Sequence, residues 1–434
     1  MKKFVNVLLF GLMALILGAI AGAILWLLLK VINMGIGLVW NRGSGSIIYN
    51  LIICCAGAVF IGFWQRKYGI LPDNMEQVMA KIKKDGKYPY DRLGIIAVAA
   101  VVPLIMGSAL GPEAGLAGVI AGLCCWVGDS LKSRGNKLAK LINASDGDSV
   151  ETLAETGLSV VLGVIFRAPL YGIVGNIEPD DGSEKYKDKF LKKKGRIFIY
   201  CMGVIGGFLS LKLFGYLFAL AANASGNEFL ISFAQGGGLP RFTSDYTFSI
   251  DQWKWSLLFI AAGIVLALIY NGAELVTGKL ADKIKDKRIL SCLIAGISVA
   301  IVGFFFPNAM FSGEHQLGEL ISDWQSAEAF NLVTTAVIKL LLVNICLSFG
   351  IRGGSIFPMI FSASAAGFGI ALLLGVDGSV AAALVLASMY AYISRKPLVT
   401  VAILLLCFPI TYIIPIFLTA FVASKIPTPF KKAE

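Results

Sequence analysis

Apolar residues in this chain come in long runs separated by short polar connections. The runs near 4–29, 47–64, 94–127, 152–178, 197–222, 254–273, 289–306, 332–349, 355–374, 377–393 and 397–424 include many near the roughly 20 residues that a helix needs to cross a bilayer. A backbone in lipid must satisfy its polar groups within its own segment, so the pattern predicts an all-α polytopic membrane protein. Lys2 and Lys3 precede the first run, and no small-residue cleavage site follows it. A retained first helix is expected rather than a removed signal peptide.

The apolar pattern is interrupted by two glycine-rich breaks, one in each half. They read Gly107-Ser108-Ala109-Leu110-Gly111-Pro112-Glu113-Ala114-Gly115 and Gly350-Ile351-Arg352-Gly353-Gly354-Ser355-Ile356-Phe357-Pro358. Glycine leaves backbone amides uncovered, and Pro112 suits the first turn of a helix. Each break therefore points a positive helix N-terminus into the membrane interior, a geometry made for an anion. Interrupted helices at matching places in two halves mark a transport site near the midplane.

A weaker echo pairs Phe166-Arg167-Ala168-Pro169-Leu170 with Ser394-Arg395-Lys396-Pro397-Leu398. Together with the two breaks, in the same order in each half, it argues for an internal duplication. The run from Lys185 to Arg196 is the natural junction. The expected organisation is a single membrane domain, 1–434, with halves 1–196 and 197–434.

Composition agrees, with 57% hydrophobic and only 15% charged residues. The net charge of +11 is concentrated in Arg66–Arg92, Lys132–Lys140, Lys185–Arg196 and Lys279–Arg288 and at the two ends. By the positive-inside rule these segments, and both termini, are cytoplasmic. Basic residues in short loops between spans serve topology and lipid head groups, which argues against nucleic acid as a partner. The eight cysteines all lie in apolar runs, and none is spaced with His315, the one histidine, as a metal ligand would be. They read as small buried hydrophobes, and no cofactor or metal is expected.

The residues resemble a known family, the CLC chloride channels and chloride/proton exchangers. Gly111-Pro112-Glu113-Ala114-Gly115 is similar to that family's Gly-Lys/Arg-Glu-Gly-Pro loop, and Gly354-Ser355-Ile356-Phe357-Pro358 to its Gly-x-Phe-x-Pro loop. Thr156-Gly157, the stretch Arg167-Ala168-Pro169-Leu170-Tyr171-Gly172, Glu178 and the segment Cys346–Met359 fall in family order. The resemblance covers about residues 5 to 430, with each motif a degenerate version. It implies two inverted halves with broken and re-entrant helices, a homodimer with its interface near 158–175, 198–222 and 400–424, and chloride as the transported ion. The nucleotide-binding tandem of some members is not expected.

Glu113 is the leading candidate residue. A carboxylate in an apolar segment costs roughly 2.5–3.5 kcal/mol on insertion scales, which argues for a partner or a task. A cap on its own helix is the plain alternative. The resemblance implies a gating glutamate, whose carboxylate competes with a halide for the same amide donors. Those donors are expected from Glu113, Ala114 and Gly115, and from Gly354, Ser355, Ile356 and Phe357. Pro112 has no N–H, so this loop offers one donor fewer than the family's version.

Two departures bear on the inner site. Where the family has Gly-Ser-Gly-Ile-Pro, this chain reads Tyr68-Gly69-Ile70-Leu71-Pro72, with Gly69 at the serine position. The family's other inner contact, a tyrosine, is matched by Phe430. Both hydroxyls are missing. Glu178 falls one residue before the family's internal proton acceptor, and Pro179 falls on it, so weak or absent proton coupling is expected.

The remaining charged residues have plainer readings. Glu151 and Glu155 suit a solvated helix start, Arg167 and Arg395 snorkelling at helix ends, and Glu314, His315 and Glu319 an outward or re-entrant loop. No P-loop, Rossmann fingerprint or catalytic constellation appears, so an enzyme is not expected. The expectation is a multi-pass protein of the cell membrane that carries chloride as a channel or weakly proton-coupled transporter. The alternatives are a strictly coupled chloride/proton antiporter and a fluoride exporter; the fluoride branch's Gly-Arg-Glu-Gly-Thr loop and methionine are absent. More remote is a membrane-embedded enzyme or scaffold.

Overall fold

A computed structural model describes residues 2–41, 45–85, 87–133, 149–165, 172, 194–228, 230–231, 240–243 and 253–430. Among these residues the fold is all-α, with fifteen α-helices and no strand. In chain order they are α1 (Lys2–Trp40), α2 (Ile47–Tyr68), α3 (Met75–Asp85), α4 (Leu93–Ile105), α5 (Glu113–Ser133), α6 (Ser149–Ile165), α7 (Lys194–Ser225) and α8 (Ser256–Asp282). They continue as α9 (Arg288–Phe305), α10 (Glu314–Asp323), α11 (Ala329–Ser348), α12 (Ile356–Leu374), α13 (Gly378–Ser394), α14 (Pro397–Cys407) and α15 (Ile413–Lys425). Seven of these helices (α1, α2, α7, α8, α9, α11 and α12) are long and apolar enough to cross a membrane.

The apolar run at 94–127 becomes two helices, α4 and α5, with the first glycine-rich break between them. The run at 397–424 likewise divides into α14 and α15, at Phe408 and Pro409, where a short 3₁₀ turn Ile410–Tyr412 intervenes. Proline lacks the N–H that would continue the ladder, so the helix stops there. The run at 152–178 forms α6 as far as Ile165, and its remainder lies outside the described residues apart from Gly172.

The chain forms two compact units that alternate along the sequence. The first holds 1–35, 71–101 and 112–238; the second holds 36–70, 102–111 and 239–434.

In the first unit α1 and α7 meet backbone to backbone. A Cβ added at Gly18 would stand 2.0 Å from the Gly203 carbonyl oxygen, and one at Gly206 2.0 Å from that of Leu15. Small residues permit this approach, which substitutes for the hydrophobic drive that lipid cannot supply. Helix α6 packs against α5 and α7. That packing revises one expectation from the sequence: Glu155 is buried, and the Tyr200 hydroxyl of α7 donates a hydrogen bond to it. A carboxylate at this helix interface is held by a donor rather than by water.

Helix α3 and the loop after it pack on α4 and α5 in a small core of Val78, Ile82, Tyr88, Ile96, Val119, Ala121 and Cys125. The Tyr88 hydroxyl donates to Asp73 at 2.8 Å, and Lys81 pairs with the same carboxylate.

In the second unit α12 and α13 are the central helices. The apolar window of α12 is 78% buried, against 33% in α2 and in α8. The less buried helices present apolar side chains such as Ile48, Phe63, Leu257 and Phe305 outward. Those faces suit lipid.

Candidate anion site

The second break is built by a chain reversal between α11 and α12. Helix α11 ends at Ser348 and Phe349, and Gly350 turns the backbone at φ +101°, a conformation that favours glycine. The turn is tied down from two sides. The Gln65 side-chain amide donates to the Gly350 carbonyl, and the Ser291 hydroxyl donates to that of Phe349 at 2.9 Å. Helix α12 then begins at Ile356, with Ser355 as its N-cap residue.

The first break meets this segment directly. Gly111 and Gly354 exchange two backbone hydrogen bonds, Gly111 N–H to Gly354 C=O at 2.7 Å and Gly354 N–H to Gly111 C=O at 2.8 Å. This antiparallel bridge joins the two glycine-rich breaks 243 positions apart in the numbering. A side chain would obstruct it: a Cβ at Gly353 would lie 2.7 Å from the Leu110 Cβ and 3.2 Å from the Gly111 carbonyl oxygen. Isolated irregular backbone at membrane depth is tolerated only where protein or a cavity satisfies it, and here two such stretches satisfy each other.

Ser108 is buried, and its hydroxyl has no hydrogen-bond partner among the described residues. It borders a cavity of about 10 Å³ lined also by Cys54, Met106 and Ile351. That is about the smallest space that admits one water.

In the first unit, Glu113 opens α5 and is 1% exposed. Residues 111–120 are all buried. The helix ladder starts one residue earlier, where the Pro112 carbonyl accepts from the Leu116 N–H at 3.1 Å. Glu113 therefore occupies the first turn, where a carboxylate is favoured by the helix dipole. Ala114 and Gly115 follow it in the same buried turn. Gly115 also has a packing reason, since a Cβ there would come within 2.5 Å of the Ala100 Cβ.

The residues expected at the inner site are Gly69 and Phe430. Gly69 follows the end of α2 at φ +90° and is exposed, with its N–H donating to the Gln65 carbonyl at 2.9 Å. Phe430 is half-buried, its ring edge against Gly272 of α8. The tail before it is held by α13: Tyr392 donates to the Pro427 carbonyl at 3.1 Å, and Arg395 donates to the carbonyls of Ser424, at 2.9 Å, and Ile426. Arg395 is thus a clamp on the tail and does not snorkel; its guanidinium also lies 4.5 Å from the Tyr392 ring centroid. Glu178 and Arg167 lie outside the described residues.

One residue escapes a motif-based reading altogether. Lys339 of α11 is fully buried, and its ammonium donates to the carbonyls of Asn308, Met310 and Phe311 at 2.9, 2.9 and 3.1 Å. It also lies 4.7 Å from the Phe361 ring centroid. A lone lysine within an apolar run was the available signal, because such a charge demands partners.

A sequence profile described as voltage gated chloride channel matches residues 56–427. The chain belongs to the voltage-gated chloride channel family. With seven helices able to cross a bilayer, this CLC-family chain is a multi-pass integral membrane protein.

Comparison with curated proteins gives no match. Among solved structures, the CLC-family chain resembles one described as a CLC-type fluoride/proton antiporter, at 16% identity and TM-score 0.70 over 96% of this chain and 94% of that one. A slow cyanobacterial Cl⁻/H⁺ antiporter gives 15% identity and TM-score 0.71 over 98% and 93%. A eukaryotic CLC transporter gives 13% and 0.67 over 97% and 71%. At these identities the likeness establishes the fold.

Proposed function

We propose that this chain carries anions across the membrane, with chloride the principal ion and each subunit of a homodimer holding its own pathway. The observation that carries the reading is the Gly111–Gly354 bridge, which joins the two breaks from which the site is expected to be built. Along the chain the bridge leads into the N-terminus of α12, where Gly354 and the N-cap Ser355 precede Ile356 and Phe357, and into the first turn of α5, at Glu113, Ala114 and Gly115. Helix N-termini hold anions through backbone dipoles without a full positive charge, and a weakly hydrated halide bound this way leaves readily.

Glu113 is the gate in this reading. Ionised, its carboxylate takes the place of the anion; protonated or displaced, it frees the site. Coupling to protons is weak or absent, because Gly69 and Phe430 bring no hydroxyl to the inner position and Glu178 is displaced by one residue from the expected acceptor. Placement in the cell membrane with both termini cytoplasmic follows the distribution of basic loops.

The test is simultaneous measurement of chloride, fluoride and proton flux after reconstitution in liposomes. Chloride running down its gradient without proton uptake is the expected result. A fixed chloride-to-proton ratio that collapses in Glu178→Gln would replace this reading with strict antiport, and flux of fluoride alone would replace chloride as the ion.

A further inference from the structure

Lys339 stands near the middle of the 20-residue α11, a helix long and apolar enough to cross a bilayer, and is fully buried. Its Nζ meets three backbone carbonyls, those of Asn308, Met310 and Phe311. An ammonium has three N–H donors and a neutral amine only two, so three acceptors around one nitrogen select the charged form. No ion pair among the described residues includes Lys339. Its acceptors carry partial charges, and the full charge stays.

Tying down the loop at 308–311 is the plain explanation for this lysine. A neutral amide would do the same, and α11 contains the example. Asn344, also buried, donates to the carbonyls of Tyr270 and Leu340 at 3.2 and 3.0 Å. An amide satisfies carbonyls without the desolvation penalty of an ion, which is large in a membrane interior. The charge itself, beyond the hydrogen bonds, calls for a second role.

Its position supplies one. The ammonium lies 4.7 Å from the centroid of the buried Phe361 ring of α12. Phe361 follows Phe357 by four residues, about one turn or 5.4 Å along the helix axis, and helical side chains lean toward the N-terminus. The charge therefore sits beside the second turn of the helix whose N-terminus, at Gly354 to Phe357, forms one half of the expected anion site. The dipole of α12 presents its positive end there, and Lys339 adds to the same sign. Residues Phe357 to Gly369 are all buried, and buried charges are screened far less than exposed ones. At roughly 10 Å and an effective dielectric of about 20, one unit charge changes the affinity for a monovalent anion roughly tenfold.

We propose that Lys339 is a specificity-determining residue of the anion pathway, whose buried charge raises anion occupancy at the N-terminus of α12 through space, without touching the ion. This role deepens the transport reading and rests on it.

Chloride efflux from liposomes, measured against chloride concentration, separates the role from a structural one. Lys339→Gln keeps two N–H donors and loses the charge, so its half-saturating chloride concentration should rise roughly tenfold. Lys339→Arg keeps the charge and should stay near the wild type. A merely structural lysine would lower the maximal flux in step with the folded fraction and leave half-saturation where it is. Asn308→Asp leaves α11 intact and places an opposing charge at an exposed position whose carbonyl accepts from the ammonium. It should shift half-saturation upward by a smaller factor, since an exposed charge is screened. An unchanged half-saturating concentration in Lys339→Gln, or an equal rise in Lys339→Gln and Lys339→Arg, overturns the proposal and leaves the transport reading in place. Should Lys339→Gln fail to fold, an unchanged value in Asn308→Asp overturns it instead. Wild-type protein without anion flux overturns both readings.

Discussion

The Lys339 ammonium donates to the Met310 carbonyl at 2.9 Å, and through it a buried charge on α11 fixes the loop that abuts the first glycine-rich break. The consequence reaches Gly107. The Phe311 N–H approaches the Gly107 carbonyl at 3.4 Å, and a Cβ at Gly107 would meet the Met310 Cε at 2.6 Å and the Trp40 ring at 2.8 Å. Gly107 adopts φ +88°, so both its conformation and its surroundings exclude a side chain.

Replacing Lys339 with Met removes the donor from three carbonyls at once. Hydrogen bonds to charged groups contribute about 1.5–3 kcal/mol each, and buried acceptors left without a donor carry a further penalty, so a loss of several kcal/mol is expected. Thermal unfolding in detergent measures it. A Lys339→Met midpoint equal to that of the wild type would mean that the three contacts contribute nothing.

Glu113→Gln and Glu113→Ala remove the carboxylate proposed to compete with the anion. Chloride flux should persist and lose most of its pH dependence, measured as efflux from liposomes across the acidic range. A folded variant that keeps the wild-type pH profile would rule Glu113 out as the gate.

Gly354→Val should abolish chloride flux, because a branched side chain crowds the backbone beside the proposed anion. Gly353→Val should act through the bridge, since its Cβ would stand 2.7 Å from the Leu110 Cβ. Overpacking of this kind costs about 1–3 kcal/mol, so both flux and melting temperature should fall. Wild-type flux in Gly353→Val would show that the bridge tolerates displacement.

Tyr88 makes alkaline stability a readout of the α3 region. Burial first, and then the hydrogen bond to Asp73, raise its pKa above the ordinary value of 10.0. A group with a raised folded pKa stabilises the fold below its unfolded pKa and loses that contribution as pH rises further. Wild-type stability should therefore drop above pH 10 relative to Tyr88→Phe, which has no proton to lose. Parallel stability profiles for the two proteins at alkaline pH would remove Tyr88 from the account.

The sequence by itself determined where helices run and where two of them break. Apolar run length, glycine clusters and proline act over a few residues, so the cuts at 107–115 and 350–358 and the placement of Glu113 and Ser355 at helix starts were legible. The family motifs were legible for the same reason, being short and contiguous. Tertiary structure alone decided which distant groups meet. Gln65 reaches Gly350 across 285 positions, and Gly111 finds Gly354, through packing that no local pattern encodes. It also reversed the readings of Glu155 and Arg395, because a charged side chain near a helix end goes to water, lipid or a buried partner according to what packs beside it.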